Sequence, residues 1–335
     1  MKRLYSLIAI ILVFLGFAFV RQQPSQQSTR TQKTQTVGIL QLMSQPALDT
    51  IHKGIMKGLA DEGYKPGKNL KVYFQNAEND QSNMKTMSSR FVNENADAMI
   101  GIATPSAQAL ANASDKIPVV LGAITDPKGA GLVKNNKRPG GNVTGVSDQA
   151  PLKAQLDLIK QIMPKMKTLG IMYTSSDDSA TAQYKQFKAL CKKENVTLKA
   201  YSISNTNDVD QVSQQMLSNV DAVYVPTDNT IASAMQTLVA NANSAKVPVF
   251  PAVDSMVKDG GLATLSINQY KLGVETGKMT AQILKGKLNP ATTPIHFFRS
   301  GEMTINLKEA KKLGITLPKS VVEEAEKNGE VFKWI

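Results

Sequence analysis

The side chains in this chain that can do chemistry are hydroxyls, amides and a few aspartates, gathered in short clusters. Thr104-Pro105-Ser106, Ser147-Asp148, Ser175-Ser176, Thr227-Asp228-Asn229 and Asp254-Ser255 stand where apolar runs end. Met43-Ser44-Gln45, Thr125-Asp126 and Asn268 stand at similar breaks. Thr104 reads as the N-cap of a helix with Pro105 at its first position, and the free backbone N–H groups of that helix start suit a carboxylate or phosphate. Asp148, Asp228 or Asp254 suits an ammonium. A site holding both describes an amino-acid zwitterion. Each residue taken singly has a second explanation, because Ser, Thr and Asp at strand–helix junctions also cap helices.

Catalytic readings find less support. The chain has no GxSxG, no GxxxxGK[ST], no HExxH and no GxGxxG after its first strand. Asp–Ser pairs occur, but no His or Lys stands at the strand ends to activate a nucleophile. The two histidines, His52 and His296, are far apart, and Cys191 is the single thiol. A His-built metal site, a zinc ribbon, an iron–sulfur cluster and an internal disulfide all fall away. The expectation is a protein without cofactor, metal or catalysis.

The elements that must position these clusters alternate between strand and helix. Thr36-VGILQL-Leu42 reads as a strand, and Leu48, Ile51, Ile55 and Leu59 follow at helical spacing up to Gly63. Strands over Asn69–Ala77, Asp97–Ala103 and Ile117–Ile124 alternate with helices over Asp80–Asn95 and Pro105–Ala113, the pattern of a parallel α/β sheet. The same order then recurs. Gly38 in VGILQL matches Gly170 in LGIMYT, 132 residues on, and Leu70 matches Leu198, 128 on. Asp97 matches Asp221, 124 on, and Pro118 matches Pro248, 130 on. A period this long is too great for a solenoid repeat. It predicts two similar Rossmann-like lobes, and ligands of such sheets sit beyond the carboxyl ends of the strands. Two lobes facing each other enclose a ligand cleft there and close by a hinge. His52 is expected on the exposed face of the first helix, His296 in a lobe-crossing segment and Cys191 on an apolar helical stripe.

Composition fits this reading. The 335 residues are 42% hydrophobic and 20% charged, ordinary for a globular chain. The net charge of +12, from 39 Lys+Arg against 27 Asp+Glu, is spread as lysine among acids rather than drawn into an aromatic-studded stripe. No nucleic-acid partner is therefore expected; a basic surface suits work beside an anionic membrane or wall. Met1-Lys2-Arg3 precedes an uncharged run from Leu4 to Val20, the pattern of an export signal or anchor. No Cys follows the run, which excludes lipid attachment there, and Gly16-Phe17-Ala18-Phe19-Val20 is a poor peptidase site. An uncleaved membrane anchor over 1–20, with a flexible tether over 21–35, is expected; a secreted form after signal cleavage is the alternative.

The stretch Thr125-DPKGAGLVKNNKRPGGNVTGVSD-Asp148 resembles the signature of bacterial ABC-transporter substrate-binding proteins, in the branch that binds tryptophan and related aromatic amino acids. Gly101-IATPSAQALA, Val220-DAVYVPTDNTIASAM and Gly260-GLATLSINQYKLG are similar to the same family, over about residues 36 to 318. The resemblance implies a type I periplasmic-binding fold: lobe 1 from 36–146 plus 267–294, lobe 2 from 147–266 plus 295–335, joined by three hinge crossings. It implies an extracytoplasmic protein that binds a small solute, here an L-amino acid, for a permease driven by a cytosolic ATPase. It carries the cleft loops onto Thr104, Pro105, Ser106, Ser147, Asp148, Ser175, Ser176, Thr227, Asp228, Asn229, Asp254 and Asn268. Tyr173, Tyr224, Phe250 and Tyr270 lie near strand ends, where a ring could face an aromatic ligand. A monomer is expected. A branched aliphatic amino acid or a nucleoside would use similar loops, and a ligand-sensing ectodomain would use the same module.

Overall fold

The repeat read from the sequence is carried by two parallel sheets in the computed structural model, which describes residues 34–333. The first half runs β1 (Gln35–Gln41), α1 (Pro46–Asp61), β2 (Leu70–Asn76), α2 (Gln81–Asn93), β3 (Ala98–Ile102), α3 (Thr104–Ala113), β4 (Val119–Gly122) and β5 (Val143–Ser147). The second begins with α4 (Leu152–Ile162), β6 (Thr168–Thr174), α5 (Asp178–Lys193), β7 (Thr197–Ile203), α6 (Val209–Leu217) and β8 (Ala222–Val225). It continues through α7 (Asn229–Ser233), α8 (Met235–Ala245), β9 (Val249–Pro251), α9 (Asp254–Lys258) and β10 (Ala263–Ser266). The chain then passes through α10 (Gln269–Leu284), β11 (His296–Phe297), β12 (Glu302–Asn306), α11 (Leu307–Leu313), α12 (Lys319–Asn328) and β13 (Glu330–Phe332).

The first sheet is parallel throughout, in the order β11-β5-β4-β3-β1-β2. The second is parallel in the order β7-β6-β8-β9. Beside it lies β10-β12-β13, joined to β9 by Leu262 N–H donating to the Val249 carbonyl at 2.7 Å. Each sheet has its own apolar core. One is built from Val37 to Val146 with Ile267 to Ile295; the other runs from Ala150 to Ala263 with Met303 to Ala325 and also takes in Ala47 of α1.

The lobe boundary expected at 295 needs correction. His296 and Phe297 pair with Val146 and Ser147, so this segment extends the first sheet before the chain crosses over. A two-residue strand has no periodicity for sequence reading to find. The anchor expected over 1–20 and nearly all of the tether lie outside the described residues. Among the described residues no helix is long and apolar enough to cross a membrane.

The matched residues hold equivalent jobs in the two halves. A Cβ on Gly38 would stand 2.5 Å from the Phe91 ring, and one on Gly170 would stand 3.1 Å from Met216 Sδ. Both glycines let a helix lie close on its central strand. Asp97 Oδ2 accepts from Thr36 N–H at 2.8 Å, and Asp221 Oδ2 accepts from Lys167 and Thr168 N–H at 2.7 and 2.8 Å. These aspartates tie strand starts together and are structural.

Helices α1 and α10 approach more closely than ordinary side chains permit. A Cβ on Gly54 would lie 2.9 Å from Gly273 Cα, and one on Gly58 would lie 3.0 Å from Gly277 Cα. The two glycine pairs, each spaced by four, bring the backbones into direct contact. Both helices begin at the same end of the sheet, beside the carboxyl ends of the strands.

Candidate functional site

The carboxyl ends of the two sheets face each other across a cavity lined from both halves. The first half contributes Gln45, Leu48 and Ile51 from the start of α1, Ala103 and Thr104 after β3, Ala123 and Thr125 after β4, and Asp148 after β5. The second contributes Ser179 of α5, Thr227 to Asn229 after β8, Ala232, and Val253, Ser255 and Met256 around α9. Gln269, the first residue of α10, completes the lining. Two of these positions are strained: Ala103 has φ 74° and Ala123 φ 64°, the left-handed region that alanine rarely enters. Backbone of this kind persists where the surroundings impose it, and it clusters at ligand sites.

The cleft is closed in this structure. The Thr104 and Ser179 hydroxyls meet at 2.8 Å, Gln45 Nε2 donates to Asn229 Oδ1 at 2.9 Å, and Ser233 Oγ reaches Met43 Sδ at 3.8 Å. Every one of these contacts joins one half to the other.

Asp148 and Asp228 line the cavity, Asp177 caps the helix that carries the lining residue Ser179, and their surroundings separate the three. Asp228 Oδ1 accepts from Thr174 Oγ1 at 2.9 Å and Ile231 N–H at 3.0 Å, while Oδ2 accepts from Thr174 N–H at 2.6 Å. It caps α7 and has both oxygens engaged; burial nevertheless raises its pKa. Asp177 caps α5 through Ser179 and Ala180 N–H, and burial, together with the charge of Asp228, pushes it up to about 6. Asp148 differs. One side chain donates to it, the Thr125 hydroxyl at 3.0 Å to Oδ1, and burial pushes it up to about 6. A buried carboxylate with so few donors is poised for a cation.

Of the twelve residues, Thr104, Asp148, Thr227, Asp228 and Asn229 come together around this cavity. The other seven stand elsewhere. Pro105 faces an outer groove beside α2, and Ser106 is fully buried with no hydrogen-bond partner for its hydroxyl. Ser147 Oγ accepts from Gln149 N–H and donates to the Thr125 carbonyl, which shapes the turn after β5. Ser175 and Ser176 are exposed, and Ser175 Oγ donates to Ile203 O. Asp254 N-terminally flanks the lining residue Ser255, whose N–H it accepts, and burial with Glu330 and Glu302 nearby raises it to about 6. Asn268 caps α10 through Lys271 N–H and donates to Glu302.

The four candidate rings also stand away from the cavity. Tyr224 and Phe250 are core residues, with Tyr224 stacked on Phe187 and its hydroxyl donating to Gln155. Tyr173 stacks on Tyr184, and Tyr270 is exposed. Thr104 was expected to cap α3; the cap position is Ala103, and no side chain caps that helix. His52 is half-buried rather than exposed and stacks on Phe74 at 4.1 Å. Cys191 is fully buried. Among the described residues no group of His, Cys, Asp or Glu is placed to hold a metal ion.

A family model for ABC transporter substrate binding proteins matches residues 36–328. The chain belongs to that family. A small-molecule ligand, a permease partner and an extracytoplasmic location follow from membership. The substrate-binding protein is 37% identical over 287 residues to a tyrosine-binding protein of Clostridioides difficile, covering 86% of this chain and 83% of that relative. Among solved structures it is similar to an ABC domain in complex with L-Trp from Streptococcus pneumonia, with 47% identity and a TM-score of 0.85 over 90% of this chain and all of that one. A ligand-free, open substrate-binding protein with adhesive properties from Clostridium difficile is 35% identical, with a TM-score of 0.72 over 90% of this chain and all of the other.

Proposed function

We propose that this protein captures an L-amino acid with an aromatic side chain, tryptophan or tyrosine, and presents it in the closed form to an ABC importer. The observation that carries the reading is Asp148, a buried carboxylate with a single side-chain donor, in a cavity shut by bonds between the two halves. The ligand ammonium pairs with Asp148. The ligand carboxylate takes the first-turn N–H groups of α3, which no side chain caps, with Thr104 and Thr125 beside them. Leu48, Ile51, Val253 and Met256 then hold the ring between aliphatic walls. The ligand leaves unchanged: no lining side chain is a His, Cys or Lys, and a hydroxyl without a base has no route to activation. The N-terminal segment tethers a monomer to the outer face of the membrane.

The tyrosine-binding relative and the L-Trp complex support an aromatic ligand. The aliphatic walls favour a second reading, a branched aliphatic amino acid. A thermal-shift series with Trp, Tyr, Phe, Leu, Ile and Val decides between them, because a ligand of the folded state alone raises Tm by mass action. A rise confined to aromatic ligands is expected. A rise confined to Leu, Ile or Val gives the site to the second reading, and no rise with any amino acid removes both.

A further inference from the structure

We infer that the end of the first lobe remote from the cleft is a docking face for anionic phospholipid headgroups. In a parallel sheet all strands begin at one edge, so the segments preceding β2, β4 and β5 share that end. These segments carry Lys65, Lys68, Lys116, Lys134, Lys137 and Arg138, all exposed. Lys287 joins them just after α10, and among the described residues none of these cations makes an ion pair. Hydrogen bonds fasten the pieces together: Gly140 N–H donates to Ala291 O at 2.9 Å, Ile295 N–H to Asn136 O at 2.8 Å, and Asn142 Nδ2 to Ile117 O at 2.7 Å.

One acid at this end, Asp115 beside Lys116, is exposed and has no ion pair among the described residues; the others are engaged. Asp61 pairs with Lys57, Glu62 with Lys285, Asp97 accepts from Thr36 N–H, and Glu94 bonds Tyr73 and lies near Lys71. Lysine at helix C-termini is commonplace, since it complements the helix dipole. The cluster at Lys134, Lys137 and Arg138 lies in a loop between two strands and has no such explanation. The far end of the second lobe also bears lysines, Lys165, Lys167, Lys192 and Lys193. The first lobe is singled out because the chain enters it here, Gln35 N–H donating to Asn69 O at 3.0 Å beside Lys68. Before Gln35 lie the polar stretch 21–34 and the apolar run Leu4–Val20. The inference rests on the membrane-tether reading of that run: a short tether keeps this basic end within reach of a lipid surface, where each cation adds attraction.

The test uses the full chain carrying Lys137→Cys, labelled with a donor fluorophore; Cys191, the native thiol, is buried and does not compete. The protein is incorporated in phosphatidylcholine vesicles with or without phosphatidylglycerol, with an acceptor on the lipid headgroups. Flotation with both vesicle types reports the tether itself, and failure to float refutes the tether, leaving the docking face without its premise. Given flotation, energy transfer is expected to be several-fold greater with phosphatidylglycerol than with phosphatidylcholine alone. That excess should be lost in high salt and fall at least about tenfold when Lys116→Glu, Lys134→Glu and Arg138→Glu are combined. Equal transfer with both vesicle types, or no change on charge reversal, overturns the inference. Binding of soluble polyglutamate without lipid transfer also overturns it and gives the face to an acidic polypeptide.

Discussion

Replacing Asp148 by Asn should move stability and binding in opposite directions. The folded, ligand-free chain raises this carboxyl from its ordinary 3.8 to about 6 by burying it. A folded-state value above the unfolded one means that the ionised form opposes folding. That opposition is absent below the unfolded value and grows as pH rises from 3.8 to about 6, after which it is constant. The difference corresponds to on the order of 3 kcal/mol near neutral pH. Asn keeps an oxygen for the Thr125 hydroxyl and carries no charge, so the ligand-free variant should melt higher than the parent near neutral pH. At about pH 4 the gain should vanish. Binding should go the other way, because removing one partner of a buried charge pair costs roughly 2–5 kcal/mol, or tens- to thousands-fold in Kd. Thermal melts without ligand and calorimetric titration with tryptophan or tyrosine, on both proteins at both pH values, measure the two effects. An Asn variant that binds within a few-fold of the parent refutes the assignment of the ammonium to Asp148. One that melts lower refutes the argument about its burial.

The same carboxylate makes ligand affinity of the unaltered protein fall as pH drops below about 6, which titration at stepped pH would detect as a rising Kd. Asp228→Ala should lower Tm instead of raising it, because it strips Thr174 and Ile231 of their acceptor and uncaps α7; a loss of about 2 kcal/mol or more in urea unfolding is expected. Ser179→Ala removes one hydroxyl of the cross-cleft pair with Thr104 and should speed ligand release several-fold in stopped-flow displacement, about 1 kcal/mol, while leaving Tm without ligand nearly unchanged. Gly54→Ala forces a methyl against Gly273 and should cost roughly 1–3 kcal/mol of unfolding free energy, seen as a lower urea midpoint at constant m.

Much of this was legible in the residues. The repeat of Gly38, Leu70, Asp97 and Pro118 at near-constant spacing revealed both sheets, and the rule that ligands sit past carboxyl ends led to Thr104, Asp148 and Thr227–Asn229. The rule locates a loop; it does not say which way each side chain turns. Ser106 and Ser147 stand within two residues of lining residues and yet go into packing or hydrogen-bonding roles of their own. The rings were harder to read. β8 is buried along its whole length, so no alternation marks a cavity side, and Tyr224 and Phe250 went to the core. Leu48 and Ile51 carry the helical spacing of core residues, and nothing in that spacing tells that the first turns of α1 run past the sheet into the cleft. The strained alanines had no sequence signal, whereas Asp177 two residues before Ser179 was a readable helix start.

The contact of α1 on α10 through paired glycines bears on how ligands are told apart in time. Leu48, Ile51 and Gln269 sit at the tips of two helices whose backbones touch, so their half of the cavity has its shape before any ligand arrives. Little ordering is left for the encounter on that side. Competing amino acids should therefore load at similar rates and differ in how long they stay, with residence time set by the bonds that the second half adds on closing.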